Sequence, residues 1–255
     1  MKSLNNVTAL ILAGGKAERM GSLCRSVPKP MLCFARKPFL QWLIEWYLSR
    51  EIGRIIISVS EPWADYFRAS FEVSYWYDRG VRILVEVGQL GTSGAVSNFV
   101  LSNIDSNEDV LLCNGDTVLD YSPENAYEAY HRDRTLPLAK HTDDEKAPNK
   151  GAVKVSAGKI VSFREDGSER YVCLQDAENY LASSVGHYFF SRSSLADYLK
   201  PEEQSWEQET IPRLVKEFTV RASLASENFF YDYGTPERYR WLKKNEKIVK
   251  SIYGS

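Results

Sequence analysis

The chain has 255 residues, of which 44% are hydrophobic and 26% are charged, a composition typical of a globular protein with one full core. Its 32 Lys and Arg side chains are balanced by 34 Asp and Glu, and the resulting net charge of −2 argues against nonspecific nucleic-acid binding as the main function. No apolar stretch reaches the ~20 residues needed to cross a bilayer, so we expect no membrane association.

The cysteines and aromatic residues further limit the class of protein and its compartment. The four cysteines show no C-x-x-C spacing, which disfavours a metal-thiolate site, and no leader-like segment precedes Leu4. We therefore expect reduced thiols in a cytoplasmic protein. Most of the six Trp and 15 Tyr are expected in the core, and the remainder suit a binding cleft or the interface of a homodimer.

Strand-like and helical patterns alternate through the first half of the chain. We predict strands at 7–12, 54–59, 81–85 and 109–113, and helices at 39–48 and 92–101. This alternation is typical of β-α-β units, and it predicts an α/β fold with a doubly wound, mostly parallel (mixed) sheet.

The second half of the chain has a different pattern of predicted secondary structure. Short alternating strands at 136–140, 152–156, 159–163 and 184–190 predict a small β-rich insertion, and a polar loop is expected at 143–150. The pairs Ser-Pro and Thr-Pro predict helices that begin at about 123 and 236. Ser205 and Gln208 form a candidate capping box for a further helix through Phe218.

The loop after the first strand combines glycines with basic residues. Gly14 and Gly15 allow the backbone to turn and approach a ligand without a β-carbon in the way, and their amides become available to phosphate oxygens. Arg19 and Lys29 supply positive charge, and Lys29 is held in a Pro-Lys-Pro segment. A strand-ending turn with solvated basic residues is the alternative, but the combination favours a polyphosphate site.

Two aspartates are candidate ligands for a divalent cation. Asp116 follows the buried strand at 109–113, and ligands of open α/β sheets bind at the carboxyl ends of strands. Asp232 follows an aromatic, strand-like run. Both aspartates lie in segments that also suit simple turns, so the local pattern leaves a structural role open for each.

Four ordered motifs resemble those of the sugar-1-phosphate nucleotidyltransferase family. They are L-A-G-G-K-A-E-R-M with P-K-P-M at 12–31, V-E-V-G-Q-L-G-T-S-G-A at 85–95, C-N-G-D-T at 113–117 and Y-D-Y-G-T-P-E at 231–237. The resemblance implies a Rossmann-like nucleotidyltransferase fold in a single domain, 1–255. Its nucleotide-binding half would be about 1–120 and its sugar-binding half about 121–255.

The resemblance also implies roles for individual residues. Those implied to be catalytic are Arg19, Lys29 and Asp116, and the implied metal ligands are Asp116 and Asp232. The implied nucleotide-binding residues are Leu12, Ala13, Gly14, Gly15, Arg19, Lys29, Gly88, Gln89, Gly91, Thr92 and Ser93. The implied sugar-binding residues are Asn114, Gly115, Gly151, Glu165, Ser184 and Gly186.

The reaction implied is the attack of a sugar 1-phosphate on the α-phosphorus of a nucleoside triphosphate, with Mg²⁺ as cofactor. The attacking oxygen is already anionic, so the reaction calls for positioning and positive charge and not for a general base. The chain departs from the family at Asp166, where relatives often have Lys. Arg164, Lys150 or Lys154 then become candidates for holding the sugar phosphate.

Within the family, the segments S-V-P-K-P-M and S-W-E-Q and the compact length are most similar to the guanylyltransferases of D-glycero-α-D-manno-heptose 1-phosphate. GTP and that heptose phosphate are therefore the favoured substrates, and GDP-heptose for surface polysaccharides the favoured product. Uridylyl transfer to N-acetylmuramate or hexose 1-phosphates stays open. So does a non-catalytic, nucleotide-sugar-binding regulatory role, which retention of the charged residues counts against. A glycosyltransferase would need an Asp-x-Asp motif, which 114–120 lacks.

Overall fold

Helices and strands alternate through the first half of the chain, and short strands dominate the second. The computed structural model describes residues 3–88, 90–133, 135–140, 152–164, 179–226 and 229–254. The strands in these ranges are β1 Val7–Leu12, β2 Cys33–Phe34, β3 Lys37–Pro38, β4 Arg54–Ser60, β5 Val81–Glu86, β6 Asp109–Asn114, β7 Thr117–Asp120, β8 Thr135–Lys140, β9 Ala152–Ser156, β10 Lys159–Arg164, β11 Asn179–Ser184, β12 His187–Ser191, β13 Arg221–Ser226 and β14 Phe229–Asp232.

The α-helices in the same ranges are α1 Phe39–Ser49, α2 Ala64–Phe71, α3 Ser74–Tyr77, α4 Gly91–Leu101, α5 Pro123–Asp133, α6 Arg192–Ala196, α7 Ile211–Glu217, α8 Pro236–Lys244 and α9 Lys247–Tyr253. Short 3-10 turns cover Glu18–Cys24, Lys29–Met31 and Glu61–Trp63, and a π-helical turn covers Trp206–Thr210. Helices α5 and α8 begin at the prolines from which the sequence predicted them.

The central sheet has the strand order β12-β6-β1-β4-β5. Its pairs β6-β1, β1-β4 and β4-β5 are parallel, and only the edge strand β12 runs antiparallel. The predicted α/β fold with a mostly parallel, mixed sheet is therefore confirmed. The register pairs Leu12 with both Ser58 and Asn114, which brings the ends of three neighbouring strands to one edge.

Both faces of the central sheet are covered. Ala9, Ile11 and Ile57 point into one buried cluster, which α1, α2, α5, α8 and α9 complete. The alternate residues Leu10 and Ile56 point into a second cluster with α4, α6, α7 and part of the second sheet. Because side chains alternate across a strand, an apolar run such as V-T-A-L-I-L serves two cores at once.

The second sheet has the strand order β10-β13-β8-β11-β9, and β9 also pairs with β10, so the sheet closes on itself. A separate antiparallel ribbon joins β14 to β7 and places Asp232 opposite Thr117. The short predicted strands of the second half thus form a β-rich unit beside the central sheet.

The predicted single strand at 184–190 is wrong. β11 ends at Ser184 in the second sheet, and β12 begins at His187 in the central sheet. Gly186 between them has φ +69°, a left-handed conformation that a continuous strand cannot contain. The chain therefore passes from one sheet to the other within two residues.

The predicted capping box at Ser205 is confirmed in part. Ser205 Oγ accepts from the backbone N–H of Gln208 at 3.1 Å. However, the reciprocal bond comes from Glu209, whose carboxylate accepts from the N–H of Ser205 at 2.8 Å. The π-helical turn shifts the return partner by one residue, and α7 starts only at Ile211.

Candidate active site

A cleft of about 540 Å³ opens where the first and sixth strands end. Parallel α/β sheets bind their ligands at this edge. The sequence-predicted site residues that line it are Leu12, Ala13, Gly15, Arg19, Lys29, Thr92, Asn114, Asp116, Ser184, Gly186 and Asp232. Further lining residues are Pro30, Thr117, Val185, Ser205, Glu207, Gln208, Phe230 and Arg238. Predicted residues from six separate segments thus meet in one cavity.

The remaining predicted site residues fall into two groups. Gly14, Gly88, Gly91, Ser93 and Gly115 lie in the described part of the chain but do not line the cleft. Gln89, Gly151 and Glu165 lie outside the described residues, as do Lys150 and Asp166. Of the other candidates for the sugar phosphate, Arg164 lines a second cavity and Lys154 is exposed on β9.

Two cations from the N-terminal segment reach the cleft. Arg19 lies in the 3-10 turn that follows the glycine loop, and Lys29 begins the short turn between Pro28 and Met31. The Lys29 ammonium donates to Asp116 Oδ2 in a partly buried ion pair. The turn at Lys29–Met31 therefore holds Lys29 beside the carboxylate of Asp116, which follows β6.

The two predicted metal-ligand residues face the same cleft. Asp116 follows β6 by two residues, and the backbone N–H of Tyr233 donates to its carbonyl at 3.4 Å. Asp232 ends β14 opposite Thr117, and its Oδ2 accepts from Arg238 at 3.0 Å. Pairing of β7 with β14 thus brings the two residues into the lining of one cleft despite their separation in sequence.

Arg238 is a cation of the cleft that the sequence analysis missed. It lies in the first turn of α8, three residues after the cap Thr235, whose hydroxyl accepts from the Arg238 N–H at 3.4 Å. Its guanidinium pairs with Asp232 and lies 5.0 Å from the ring of Tyr231. Its place just after the Y-D-Y-G-T-P motif was the signal that could have identified it.

The glycine loop fits tightly against a buried carboxylate. A β-carbon on Gly14 would lie 2.7 Å from Glu86 Oε1 and 2.9 Å from the backbone nitrogen of Ser60, whereas one on Gly15 would meet nothing within 4 Å. Gly14 is thus required by the protein's own packing. No packing contact imposes Gly15, which lines the cleft.

This difference predicts separate effects for two matched substitutions. Gly14→Ala is expected to lower the free energy of unfolding by about 1–3 kcal/mol, because the new methyl group overpacks against backbone. Gly15→Ala is expected to leave stability unchanged and to raise the KM for the nucleotide. Urea denaturation and steady-state kinetics of both variants check this, and equal destabilisation by the two would contradict it.

Glu86 is a buried acid at the end of β5. It is 6% exposed, and its Oε1 accepts from Ser58 Oγ at 2.8 Å. Burial raises the pKa of this carboxyl, and the Ser58 hydrogen bond opposes the rise. The ionised form is therefore less favourable in the folded than in the unfolded chain. This cost begins to develop above the ordinary glutamate pKa and is complete above the raised pKa.

Glu86→Gln is accordingly expected to raise the melting temperature at neutral pH. As the pH falls through the raised pKa, the wild-type carboxyl takes up a proton in the folded state and the cost disappears. The advantage of the variant should therefore vanish in acid near the ordinary glutamate pKa of about 4.3. Thermal unfolding across this range checks the prediction, and a variant that is less stable at neutral pH would refute it.

The residues near the predicted sugar end pack closely. Gly186 approaches Asn114 so closely that a β-carbon would lie 2.4 Å from Asn114 Nδ2, and a β-carbon on Gly115 would lie 2.8 Å from the carbonyl of Leu12. Ser184 Oγ accepts from the N–H of Gly186 at 3.2 Å. These glycines let β1, β6 and the 184–186 segment meet at the cleft.

A buried histidine supports this segment from behind. His187 is 1% exposed, and burial lowers its pKa to about 4, so the ring is neutral near pH 7. Its Nδ1 lies 3.0 Å from the Val185 carbonyl, which can only accept, so Nδ1 carries the proton. Nε2 then accepts from the Tyr47 hydroxyl at 3.0 Å. The network fixes Val185 at the cleft wall.

The implied nucleotide-binding residues at 91–93 make contacts within the protein. Gly91 has φ +65° and packs against the Gln204 carbonyl, and Ser93 Oγ lies 2.7 Å from the hydroxyl of Thr210. Thr92 lines the cleft and accepts from the N–H of Trp206 at 2.8 Å. The start of α4 is thereby fixed to the π-helical turn.

A family model described as nucleotidyl transferase matches residues 8–248, nearly the whole chain. The chain belongs to the nucleotidyl transferase family. This nucleotidyltransferase is 27% identical over 244 residues to D-glycero-alpha-D-manno-heptose 1-phosphate guanylyltransferase from Aneurinibacillus thermoaerophilus, covering 92% of this chain and 96% of the relative. The Campylobacter jejuni enzyme of the same name is 28% identical over 237 residues, covering 91% and 96%.

Other relatives extend the comparison. Mannose-1-phosphate guanylyltransferase from Mycobacterium tuberculosis is 26% identical over 253 residues, covering 97% of this chain and 66% of the relative. The crystal structure of HddC from Yersinia pseudotuberculosis, 25% identical, superposes with a TM-score of 0.71 and covers 93% of this chain and 98% of HddC. A second HddC structure contains GMP-PN. The family and its Rossmann-like fold, predicted from the motifs, are both confirmed.

Two kinds of feature are absent from the described residues. No helix among them is long and apolar enough to span a bilayer. They contain no group of three or more His, Cys, Asp and Glu side chains arranged to hold a metal ion. A site built on protein ligands alone is thus not found in this part of the chain.

Proposed function

We propose that the protein transfers a guanylyl group from GTP to D-glycero-α-D-manno-heptose 1-phosphate, giving GDP-heptose and pyrophosphate. The observation that carries this is the cleft in which Arg19 and Lys29 face Asp116 and Asp232 at the carboxyl edge of the sheet. The two guanylyltransferase relatives named for this heptose phosphate, each covering over nine-tenths of the chain, support the choice of substrates.

In the proposed reaction, an anionic oxygen of the sugar phosphate attacks the α-phosphorus of GTP. A new phosphorus–oxygen bond forms as the bond to the β-phosphate oxygen breaks, and pyrophosphate leaves with the bonding electron pair. No proton needs to be removed from the nucleophile. The barrier is the approach of two polyanions, which positive charge and fixed geometry lower.

The cations Arg19, Lys29 and Arg238 of the cleft would act on different parts of the substrates. Lys29 would contact the α-phosphoryl group, a role supported by its position at the Asp116 end of the cleft in the Pro-Lys-Pro turn. Arg19 lies near Gly234, with its Nη2 3.5 Å from where a β-carbon of that glycine would be, and would bind the departing pyrophosphate. Arg238 adds a third charge beside Asp232.

We further propose that Asp116 and Asp232 hold Mg²⁺. Two neighbouring carboxylates that face a polyphosphate site fit this ion, which prefers one or two carboxylates and completes its octahedron with phosphate oxygens and water. When bound, the ion would neutralise charge on the phosphates. Lys29 and Arg238, which pair with the two carboxylates here, would then be available to phosphate oxygens.

Mannose 1-phosphate is a second candidate sugar substrate. The Mycobacterium tuberculosis relative is named for it and matches 97% of this chain. Both candidates are guanylyl acceptors with a 1-phosphate, so the proposed phosphate chemistry is the same for each.

The test is a matrix of the four common nucleoside triphosphates and a panel of sugar 1-phosphates that includes the heptose, mannose and N-acetylmuramate compounds, assayed for pyrophosphate release with Mg²⁺. Highest kcat/KM with GTP and the heptose phosphate is expected. Preference for UTP would overturn the guanylyl assignment, and preference for mannose 1-phosphate would overturn the sugar. No release with any pair would favour the regulatory role.

A further inference from the structure

One wall of the cleft contains a chain of hydrogen bonds that the proposed reaction does not use. Ser184 and Glu207 both line the cleft. Behind them, the hydroxyl of Tyr188 lies 2.7 Å from Ser184 Oγ and donates to Glu207 Oε1, also at 2.7 Å. Tyr188 is 2% exposed, so this connection runs through the protein interior.

The direction of each proton in this chain follows from the groups involved. An ionised carboxylate only accepts, so Tyr188 gives its single hydroxyl proton to Glu207. The Ser184 hydroxyl must therefore donate to Tyr188, and the Ser184 oxygen in turn accepts from the Gly186 N–H at 3.2 Å. All protons point toward Glu207, an arrangement in which each bond polarises the next.

This order gives the wall a defined polarity. The Ser184 proton is used inside the protein, so toward the cleft Ser184 can only accept. Glu207 lines the cleft, and its carboxylate oxygens, like the Ser184 oxygen, are hydrogen-bond acceptors. The wall therefore suits ligand groups that donate hydrogen bonds. Sugar hydroxyls are such donors.

We propose that Glu207 is a specificity-determining residue that accepts a hydrogen bond from a hydroxyl of the sugar 1-phosphate, and that Tyr188 and Ser184 position it. The inference rests on the proposed function, since it needs a sugar acceptor in this cleft. The position of Glu207 on the wall follows from the π-helical turn. Ser205 caps this turn, and the Thr92 hydroxyl anchors it by accepting from the N–H of Trp206.

Glu207→Gln is the sharpest test, because the amide oxygen can still accept from Tyr188 while the amide nitrogen presents donors where the carboxylate presented acceptors. Loss of a hydrogen bond to a charged group is expected to raise the KM for the sugar 1-phosphate by about ten- to a hundredfold. The KM for the nucleotide is expected to stay unchanged. Tyr188→Phe should raise the same KM by a smaller factor, since the charge remains but its anchor is lost.

Glu202→Gln is the matched control, because it removes the same charge at a nearby position. Glu202 is exposed and does not line the cleft. Monodeoxy sugar 1-phosphates identify the recognised hydroxyl: wild type should discriminate against one of them, and Glu207→Gln should not. Calorimetric binding of the nucleotide-sugar product gives the same comparison without turnover, and thermal unfolding shows that the variants are folded.

An unchanged sugar KM in Glu207→Gln, or an equal rise in the nucleotide KM, would overturn the proposal. The second result would place Glu207 at the base or in a purely structural role. The proposed substrates are tested on the wild-type protein alone. If it prefers another base or sugar, the assignment of GTP or heptose fails, while the effect of Glu207 is still read with the sugar that is used.

Discussion

Asp116→Asn is expected to lower kcat by at least about a hundredfold while the protein stays folded. The substitution keeps the size of the side chain and removes the charge that the proposed Mg²⁺ site requires. Asp116 lies in a loop at the cleft, with its side chain 21% exposed, so the core is not disturbed. Pyrophosphate release, circular dichroism and thermal unfolding measure the two effects separately.

The matched control is Asp120→Asn. Asp120 ends β7, the strand that follows Asp116, but it does not line the cleft, so the activity of Asp120→Asn should remain at the wild-type level. Titration with Mg²⁺ adds a readout other than turnover, because Asp116→Asn should also weaken binding of the ion in the presence of nucleotide. Near wild-type kcat in Asp116→Asn would remove this residue from the proposed site.

Lys29→Gln is expected to reduce kcat by about a hundredfold or more, with a smaller change in the KM for the nucleotide. A charge that acts on the α-phosphoryl group contributes most when negative charge redistributes during transfer. The lysine is 17% exposed and held between two prolines, so its ammonium is already in position before substrate arrives. Steady-state kinetics with varied nucleotide separates the two parameters.

Arg25→Gln provides the comparison for this variant, because Arg25 is an exposed cation in the same loop that does not line the cleft. It should retain wild-type kinetics. If both substitutions lowered kcat equally, the effect would belong to the general positive field of the loop and not to the position of Lys29. A rise in KM alone in Lys29→Gln would show that the lysine binds ground state and transition state equally.

Local patterns in the sequence were sufficient to predict the parts of the fold that depend on neighbouring residues. The run V-T-A-L-I-L predicted a strand buried on both faces, and the structure places Leu10 and Ile11 in opposite cores. Prolines at 123 and 236 predicted two helix starts correctly. The order of four short motifs predicted the family. Three of them follow strands β1, β5 and β6 of the central sheet, and the fourth follows β14 of the separate ribbon.

Features that depend on long-range contacts were not predictable in this way. The apolar run through 184–190 reads as one strand, and only its pairing with two different sheets shows that it breaks at Gly186. Arg238 follows the Y-D-Y-G-T-P motif in sequence, but its position at the cleft depends on the pairing of β7 with β14. The cap at Ser205 predicted a helix, but the π-helical turn that brings Glu207 to the cleft was not predicted. Ser93, which the motif implied to bind nucleotide, contacts Thr210 and does not line the cleft, and its contact lies more than a hundred residues away in sequence.

The passage from β11 to β12 through Val185 and Gly186 has a consequence for how substrate preference can diverge. Only three Cα–Cα steps of 3.8 Å each connect the two sheets at this point. This short connection limits the distance between the end of β11 and the start of β12. The proposed phosphate end of the cleft lies at strands of the central sheet, and Ser184 belongs to the second sheet. Insertions or substitutions in the second sheet can thus change which sugar is accepted, while the residues proposed to carry out the transfer keep their positions.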